Sequence, residues 1–485
     1  MKTDHRFSPH RAGPAIATPP AAVGRRRFLQ LASGGVAGSL LLPRAHGADE
    51  AGGVEPPKVR LAWVGCGGMG MGHLRGLNRD KATLVAYCDA DSQRHMDDMR
   101  ERYPDADYYQ DFRRLLTERV DDLDAVAVAT TDHVHFAVAY LAMSLGLHVF
   151  VEKPLTHTVA QARILNELAE RKGLVTQMGN QGHLFQGAAL AREWYEAGLI
   201  GDVEEVIAWT DRPQGGFGFR NQTPTDYLPA ADVPQHLDWG KWLGPTVGDV
   251  AYNPGYHPSF WRGWWDFGCG GLGDIGCHTL DTPFWSLNLG LPQQVEVEFE
   301  GGPNPVHTVM GSKVSYRFAA RGDKPPVTVR WYEGPNFPQL PDGLDLPADA
   351  REFDGQGGLL MLGSKGAIAH RGMRPDSPRL YPDSVHEDFR TNPDKRPDPV
   401  YPRYNVGIVE NWLDAIRGSG QSGTDFSYAA PLTEMILLGS LAIRTGKGFE
   451  YDGAEMRIEG NDEAAALLDP PAREGWSADD LGKLA

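Results

Sequence analysis

The sequence predicts an α/β fold joined to an α+β fold: a doubly wound parallel sheet comes first, and a mostly antiparallel sheet with flanking helices follows it. Between residues 58 and 178, short apolar runs alternate with amphipathic helical stretches, which is the pattern of parallel strands with crossover helices. From Val203 onward, apolar and polar residues alternate over longer spans, which indicates antiparallel strands with one covered face.

The predicted elements follow one another along the chain without an internal repeat. In the first half we expect strands at residues 59–64, 84–88, 125–129, 148–151 and 174–177, and helices at 71–78, 91–102, 135–145 and 158–172. In the second half we expect strands at 203–210, 295–300, 314–318 and 327–332, and helices at 405–417 and 431–444. Residues 213–267 are rich in Pro, Gly and Trp and lack periodicity, which is typical of a functional loop region.

The N-terminal leader has the order of a bacterial export signal. Arg25–Gln30 (RRRFLQ) opens a short apolar run, and small residues follow at 45–47. Twin arginines before Phe-Leu indicate the pathway that exports folded proteins, so we expect a periplasmic or exported protein. The apolar run is too short to span a bilayer, and an uncleaved anchor is the alternative. The chain then divides into a leader (1–47), a nucleotide-binding domain (58–178), a substrate domain (179–453) and a tail (454–485).

The net charge and the cysteine pattern exclude several classes of partner and site. The 485 residues carry a formal net charge of −17, which argues against nucleic acid and against anionic membrane surfaces, since both require a basic footprint. Without the leader we expect no membrane insertion. Cys66 and Cys88 are expected to be small buried residues, and Cys269 and Cys277 are expected to be free thiols rather than a disulfide. No Cys-x-x-Cys or His-Glu-x-x-His spacing indicates a metal site.

A glycine motif directly follows the first predicted strand. In the pattern Gly-x-Gly-x-x-Gly, the first glycine allows a tight turn, the second admits a pyrophosphate, and the third lets the next helix pack on the strand. The phosphates then meet free N–H groups at the helix N-terminus. The loop residues expected to contact a dinucleotide are Gly65, Gly67, Gly68, Met69 and Gly70.

A carboxylate follows the second predicted strand at the spacing that this motif requires. Asp89 lies 19 positions after Gly70 and is placed to accept hydrogen bonds from the adenosine ribose hydroxyls. Because a carboxylate repels a 2′-phosphate, we expect NAD as the cofactor. Arg94 is close in sequence, which leaves NADP as the weaker alternative.

Two further strand ends carry polar residues. Thr130, Asp132 and His135 follow the strand at 125–129 and are expected to line the cofactor cleft, with a helix N-cap as the alternative role of Asp132. Glu152 and Lys153 follow the next strand, and the proline after Lys153 favours an extended backbone there. An ammonium at this edge can polarise a substrate hydroxyl, whereas the alternative is a solvated surface lysine.

A glycine-rich run ends in an acid–imidazole pair. If the chain is helical from residue 272, Asp274 and His278 are i and i+4 neighbours on one face. A carboxylate beside an imidazole raises the histidine pKa and fixes its tautomer, which makes a proton acceptor. The alternative is a structural hydrogen bond within the helix.

The glycine loop, Glu152-Lys153-Pro154 and the run from Gly270 to His278 together resemble the Gfo/Idh/MocA family over about residues 58–453. The resemblance implies that Lys153, Asp274 and His278 are catalytic, with His278 as the proton acceptor, and that the substrate is a polyol or sugar ring. In the exported members, the aromatic run at 260–267 is typical, so Arg262, Trp264 and Trp265 are expected to contact the sugar. The run 179–183 (GNQGH) resembles the same exported members, and His183 is a further expected sugar contact. A buried tryptophan cluster is the alternative for this run.

The leading functional hypothesis is an NAD-dependent oxidoreductase that acts on a secondary ring hydroxyl of a sugar or glycoside. One alternative is a glycosidase similar to the NAD-dependent α-N-acetylgalactosaminidases, which oxidise C3 transiently and return the hydride. The other is a non-catalytic sugar-binding protein. We also expect a homo-oligomer.

Overall fold

A computed structural model describes residues 55–213, 217, 223–299, 301–335, 338–339, 341, 344 and 357–485. The predicted leader, residues 1–47, lies outside the described residues. The described chain contains two sheets, and both classes of sheet predicted from the sequence are confirmed.

The first sheet has six strands, all parallel, in the order β3-β2-β1-β4-β5-β6. The order reverses at β1, and the carboxyl ends of β1 and β4 meet at this switch point, where open α/β sheets bind ligands. The central strand β4 is completely buried. The strands are β1 (Val59–Val64), β2 (Ala82–Cys88), β3 (Asp107–Tyr109), β4 (Ala125–Val128), β5 (His148–Val151) and β6 (Thr176–Met178).

Crossover helices connect these strands: α1 (Gly68–Arg75), α2 (Met96–Arg102), α3 (Phe112–Arg119), α4 (Asp132–Ser144) and α5 (Val159–Lys172). Helix α5 begins at a capping box in which Thr158 and Gln161 exchange hydrogen bonds. Helix α2 begins later than predicted, because the Asp91 carboxylate accepts the N–H groups of Gln93 and Arg94 and forms a turn there instead.

The second sheet has nine strands in the order β13-β12-β11-β7-β10-β9-β8-β14-β15, and its pairs are antiparallel except for β7 with β10. One face of this sheet is buried against helices, as the alternating pattern predicted. The strands are β7 (Val203–Thr210), β8 (Gln294–Phe299), β9 (Ser312–Phe318), β10 (Val327–Glu333), β11 (Gly357–Gly363), β12 (Gly366–Arg371), β13 (Arg379–Tyr381), β14 (Phe449–Asp452) and β15 (Arg457–Glu459).

The longest helix of the second half, α12 (Phe426–Thr445), is long and apolar enough to cross a membrane by length and composition, but 78% of its apolar window is buried inside the fold. It packs against α5 and the second sheet. All four cysteines are free and buried, as predicted. The remaining helices are α6 (Gln186–Glu196), α7 (Trp239–Leu243), α8 (Cys277–Thr279), α9 (Asp281–Ser286), α10 (Asp383–Thr391), α11 (Ile408–Ile416), α13 (Asp462–Ala466) and α14 (Ala478–Gly482).

We expect Gly439→Ala in α12 to destabilise the protein by about 1–3 kcal/mol, because overpacking a filled core strains it. A Cβ at Gly439 would lie 1.9 Å from Tyr316 Oη and 2.6 Å from Leu272 Cδ1. Chemical denaturation measures the free energy of unfolding. Gly72→Ala in α1 is the matched control: its Cβ meets no atom within 4 Å, so it should stabilise by about 0.5–1 kcal/mol. Equal effects of both variants would contradict this packing.

Candidate active site

A cleft with about 1380 Å³ of empty volume lies at the carboxyl ends of the first sheet. Residues from the second half of the chain form its opposite wall. Most of the predicted site residues line it: Gly65, Gly67, Gly68, Met69, Asp89, Thr130, Asp132, Glu152, Lys153, Arg262 and Asp274. The predicted residues outside this lining are Gly70, His135, His183, Trp264, Trp265 and His278.

The glycine loop has the geometry that a dinucleotide requires. Gly65 has φ +95°, and a Cβ there would lie 2.4 Å from the Ala129 carbonyl oxygen. A Cβ at Gly70 would lie 2.1 Å from the Gly65 carbonyl oxygen, so α1 can approach β1 only through glycine. By contrast, a Cβ at Gly67 meets no atom within 4 Å. The space above Gly67 at the start of α1 therefore fits the pyrophosphate of NAD.

Asp89 is held rigidly at the end of β2. Its Oδ2 accepts the Cys66 N–H at 2.8 Å, and its Oδ1 accepts the Asp91 N–H at 3.0 Å. Burial raises the pKa of the Asp89 carboxyl. Each carboxylate oxygen can accept one more hydrogen bond, and Asp89 lines the cleft, so it can accept from ribose hydroxyls there. Arg94 lines the same end.

Residues that the sequence analysis did not single out close this end of the cleft. The Asp91 carboxylate contacts His236 Nδ1 at 2.8 Å and His257 Nε2 at 3.3 Å, which fastens the irregular segment 223–267 to the first domain. The Trp476 ring lines the cleft and lies 4.4 Å below the Arg113 guanidinium. The residues in each of these contacts are far apart in the sequence, so no local pattern could have predicted the contacts. The only related prediction was a functional loop at 213–267.

The Trp476 segment joins both walls of the cleft. Arg473 donates its backbone N–H to the Pro245 carbonyl at 2.9 Å and its guanidinium to the Gly240 carbonyl at 2.6 Å. On the other side, the Trp476 ring packs against Phe112 with a centroid distance of 5.8 Å. The tail is therefore a structural part of the cleft.

Asp132 and His135 both lie at the start of α4, but only Asp132 lines the cleft. Asp132 is the first residue of this helix, its Oδ2 accepts the Cys269 N–H at 3.2 Å, and burial raises its pKa to about 7. The prediction that His135 lines the cofactor cleft is wrong. Its buried ring contacts the Pro154 carbonyl at 2.8 Å and the Thr130 carbonyl at 3.3 Å. His135 therefore connects the loop after β4 to the loop after β5 within the protein interior.

Glu152 is buried in the cleft wall and contacts His73 Nε2 at 2.7 Å. Burial acts to raise the pKa of Glu152, but the hydrogen bond to His73 and the charge of Lys153 outweigh it and hold the pKa below its usual value. Glu152 therefore stays ionised. Gly179 leaves room for it, because a Cβ there would lie 2.6 Å from Glu152 Oε1.

The Asp274 carboxylate interacts with three cationic side chains. Lys153 Nζ donates to its Oδ1 at 3.1 Å and to its carbonyl oxygen at 2.7 Å. Arg262 Nε donates to Oδ1 at 3.0 Å, and Arg212 Nε lies 3.5 Å from Oδ2. Burial opposes ionisation of Asp274, but the charges of Lys153 and Arg262 outweigh it and lower the pKa well below its usual value. Lys153 is mostly buried, so the alternative of a solvated surface lysine is wrong.

The predicted pairing of Asp274 with His278 is also wrong. His278 Nδ1 lies 3.0 Å from Oδ1 of Asn180, which is completely buried. Burial and the charge of Lys153 lower the pKa of His278 to about 4 instead of raising it. The ring is therefore neutral near pH 7. Its Nδ1–H donates to Asn180, which leaves the Nε2 lone pair as a proton acceptor.

Two of the predicted sugar contacts lie in the core. Trp264 is completely buried and packs against Tyr256 and His307. Trp265 Nε1 donates to the Asn304 carbonyl at 2.9 Å. Both tryptophans therefore fill the protein interior, as the alternative interpretation of the aromatic run stated.

His183 also lies outside the residues that line the cleft. It is buried, its Nδ1 lies 3.0 Å from both Asp281 oxygens, and its ring packs against Trp285 and Tyr428. The run 179–183 does contribute to the site, but through Asn180 rather than through His183.

Comparison with known families agrees with this architecture. Residues 59–180 match the Gfo/Idh/MocA "oxidoreductase family, NAD-binding Rossmann fold", and residues 207–321 match its "C-terminal alpha/beta domain". The chain belongs to the Gfo/Idh/MocA oxidoreductase family. Its first domain matches the NAD-binding Rossmann domain of that family.

Individual relatives of this Gfo/Idh/MocA oxidoreductase include dehydrogenases of small carbohydrates. The inositol 2-dehydrogenase/D-chiro-inositol 3-dehydrogenase of Lacticaseibacillus casei is 30% identical over 167 residues, which are 34% of this chain and 48% of that protein. A glycosyl hydrolase family 109 protein of Shewanella amazonensis is 30% identical over 172 residues, which are 31% of this chain and 37% of that protein. The chain therefore spans less than half of the length of each of these relatives.

Among solved structures, the WlbA dehydrogenase from Bordetella pertussis, in complex with NADH and UDP-GlcNAcA, superimposes with a TM-score of 0.54 at 16% identity. The superposition covers 82% of this chain and 99% of that chain. At this identity the likeness shows the fold alone.

We expect Trp476→Ala to increase the dissociation rate of NAD about tenfold, because one well-packed aromatic contact contributes up to about 1.5 kcal/mol. Displacement of bound NADH followed by stopped-flow fluorescence measures this rate. Trp476→Phe, which keeps a ring, should show a smaller change, and Leu484→Ala at an exposed position should show none. An unchanged rate in Trp476→Ala would show that the tail does not retain the cofactor.

We expect Asn180→Asp to raise the pKa of His278 from about 4, because a carboxylate stabilises the protonated imidazole beside it. NMR titration of the imidazole resonances measures the midpoint. His148, at the opposite end of β5 from Lys153, is the internal control and should titrate as in the unmodified protein. A His278 midpoint that does not move would mean that Asn180 is not its partner in solution.

Proposed function

We propose that this oxidoreductase transfers a hydride between a secondary ring hydroxyl of a sugar or glycoside and tightly bound NAD. The observation that carries the proposal is the Lys153 ammonium, which lines the cleft and is held in place by Asp274, with the neutral His278 close enough for the Lys153 charge to act on its ring. The inositol dehydrogenase relative supports a polyol or sugar substrate.

Lys153, His278 and Asn180 have different roles in this reaction. Two hydrogens of the Lys153 ammonium are engaged by Asp274, which leaves the third for a substrate oxygen. That hydrogen bond stabilises the developing alkoxide, and His278 Nε2 accepts the hydroxyl proton. Bound NAD supplies the hydride acceptor. Asn180 keeps the His278 proton on Nδ1, so the lone pair stays on Nε2.

A second candidate function is NAD-dependent glycoside hydrolysis, and the family 109 relative favours it. Oxidation at C3 acidifies the C2 proton, loss of that proton expels the aglycone, water adds, and the hydride returns to C3. Both functions share the first step and the same residues. The first domain would also permit a binding protein without activity, but the intact set Lys153, Asp274 and His278 argues against it.

We expect Lys153→Met and His278→Ala each to slow the reduction of bound NAD by sugar about 10²–10⁴-fold while the cofactor stays bound. Single-turnover absorbance of NADH at high sugar concentration, with the cofactor content measured separately, tests this. Lys172→Met, an exposed lysine that donates to the Ser144 carbonyl, is the matched control and should react at the normal rate. Full activity of His278→Ala would overturn the assignment of the proton acceptor.

A glycoside with deuterium at C3 separates the two candidate functions. In net oxidation the deuterium stays on the nicotinamide and a 3-keto sugar is released. In hydrolysis the deuterium returns to the product, whose C2 acquires a solvent proton. Deuterium in neither place with a broad panel of glycosides would contradict both.

We further propose that residues 1–47 form a cleaved twin-arginine leader and that the mature protein works outside the cytoplasm as a homo-oligomer. Cell fractionation with N-terminal sequencing tests the first part, and light scattering of the mature protein tests the second.

A further inference from the structure

The cationic side chains beside the reacting centre outnumber the carboxylates that pair with them. Lys153, Arg262 and Arg212 all lie on the Asp274 carboxylate. Among the described residues, the only other carboxylate that pairs with one of these three side chains is Asp211, which accepts from Arg212 at 2.8 Å. The ionised Glu152 is also close enough to Lys153 for the two charges to interact.

Arg262 presents hydrogen-bond donors without partners at the edge of the cleft. Its Nε is used by Asp274, and its guanidinium lies 4.3 Å over the Trp261 ring. Its two terminal amino groups make no hydrogen bond within the described residues. Because Asp274 fixes one edge and Trp261 covers one face, the guanidinium is oriented before any ligand binds.

Arg212 adds a second guanidinium on the other oxygen of Asp274. Its Nε is buried and makes no hydrogen bond with good geometry, and only one of its amino groups is engaged, by Asp211. Because this buried Nε lies 3.5 Å from Asp274 Oδ2, Arg212 supports the carboxylate and does not face a ligand. Arg262 lines the cleft beside the same carboxylate, so it belongs to the Lys153 end of the cleft and not to the glycine loop.

We propose that the substrate is an acidic sugar whose carboxylate is bound by Arg262. This proposal rests on the proposed hydride transfer. The planar guanidinium matches a carboxylate in two parallel hydrogen bonds, which a neutral hydroxymethyl group cannot reproduce. A hexuronide differs from the matching hexoside only at this group, so Arg262 would discriminate between the two.

The test compares methyl hexuronides with the matching methyl hexosides, in the glucose and galactose series and in both anomers. Single-turnover reduction of bound NAD gives a second-order rate constant for each sugar. We expect the unmodified holoenzyme to favour a hexuronide over its hexoside by 10-fold or more. Arg262→Gln and Arg262→Lys should each reduce this ratio at least tenfold, because both lose the bidentate fork. Arg100→Gln, on an exposed ion pair of α2, should leave the ratio unchanged.

Calorimetric binding of the preferred hexuronide to the NAD-loaded protein gives a readout that is independent of chemistry. Its affinity should fall in the Arg262 variants and fall with added salt. Equal rate constants for hexuronides and hexosides would overturn the acidic-sugar proposal while leaving hydride transfer intact. Loss of bound NAD from the Arg262 variants would overturn it by assigning the arginine to the cofactor. Tight, arginine-dependent binding of a hexuronide without NAD reduction by any sugar would instead contradict the proposed function.

Discussion

The arrangement of the site depends on one carboxylate. Asp274 accepts hydrogen bonds from the loop after β5 through Lys153 and from the irregular segment of the second domain through Arg262. Three cations at this distance would repel one another without it. Because its pKa is held far below neutrality, Asp274 stays charged whenever the protein is folded near pH 7. The same interaction thus holds the two halves of the site together and fixes the ammonium that faces the substrate.

Local sequence patterns were sufficient to predict most of the strands and helices. The strand Val59–Val64 and the strand Val203–Thr210 have the predicted bounds, since alternation and continuous apolar runs are properties of the segment itself. The glycine loop and Asp89 were also found from spacing, because the loop, the helix start and the second strand are consecutive in the chain. Nothing local indicated Asn180 as the partner of His278, because 98 positions separate the two residues.

The error at Asp274 and His278 has a specific cause. Residues i and i+4 face each other in a regular α-helix, but Leu272–Gly276 forms a π-helical turn, which shifts the side chains around the axis. Asp274 is then free to turn toward Lys153 and the two arginines. The aromatic run shows a related limit: Trp264 and Arg262 are two positions apart, yet one is completely buried and the other lines the cleft. Composition alone cannot tell which residue of such a run faces a ligand.

The position of Trp476 constrains the order of events when the protein is made. This ring and the glycine loop face the same cleft, although almost the whole described chain separates them. A ribosome-bound chain can form the first sheet and offer the glycine loop early, but the wall that Trp476 and Arg473 complete does not yet exist. If Trp476 retains the dinucleotide as predicted, firm capture follows synthesis of residues 473–476, and cofactor retention would report that this segment has packed onto the first sheet.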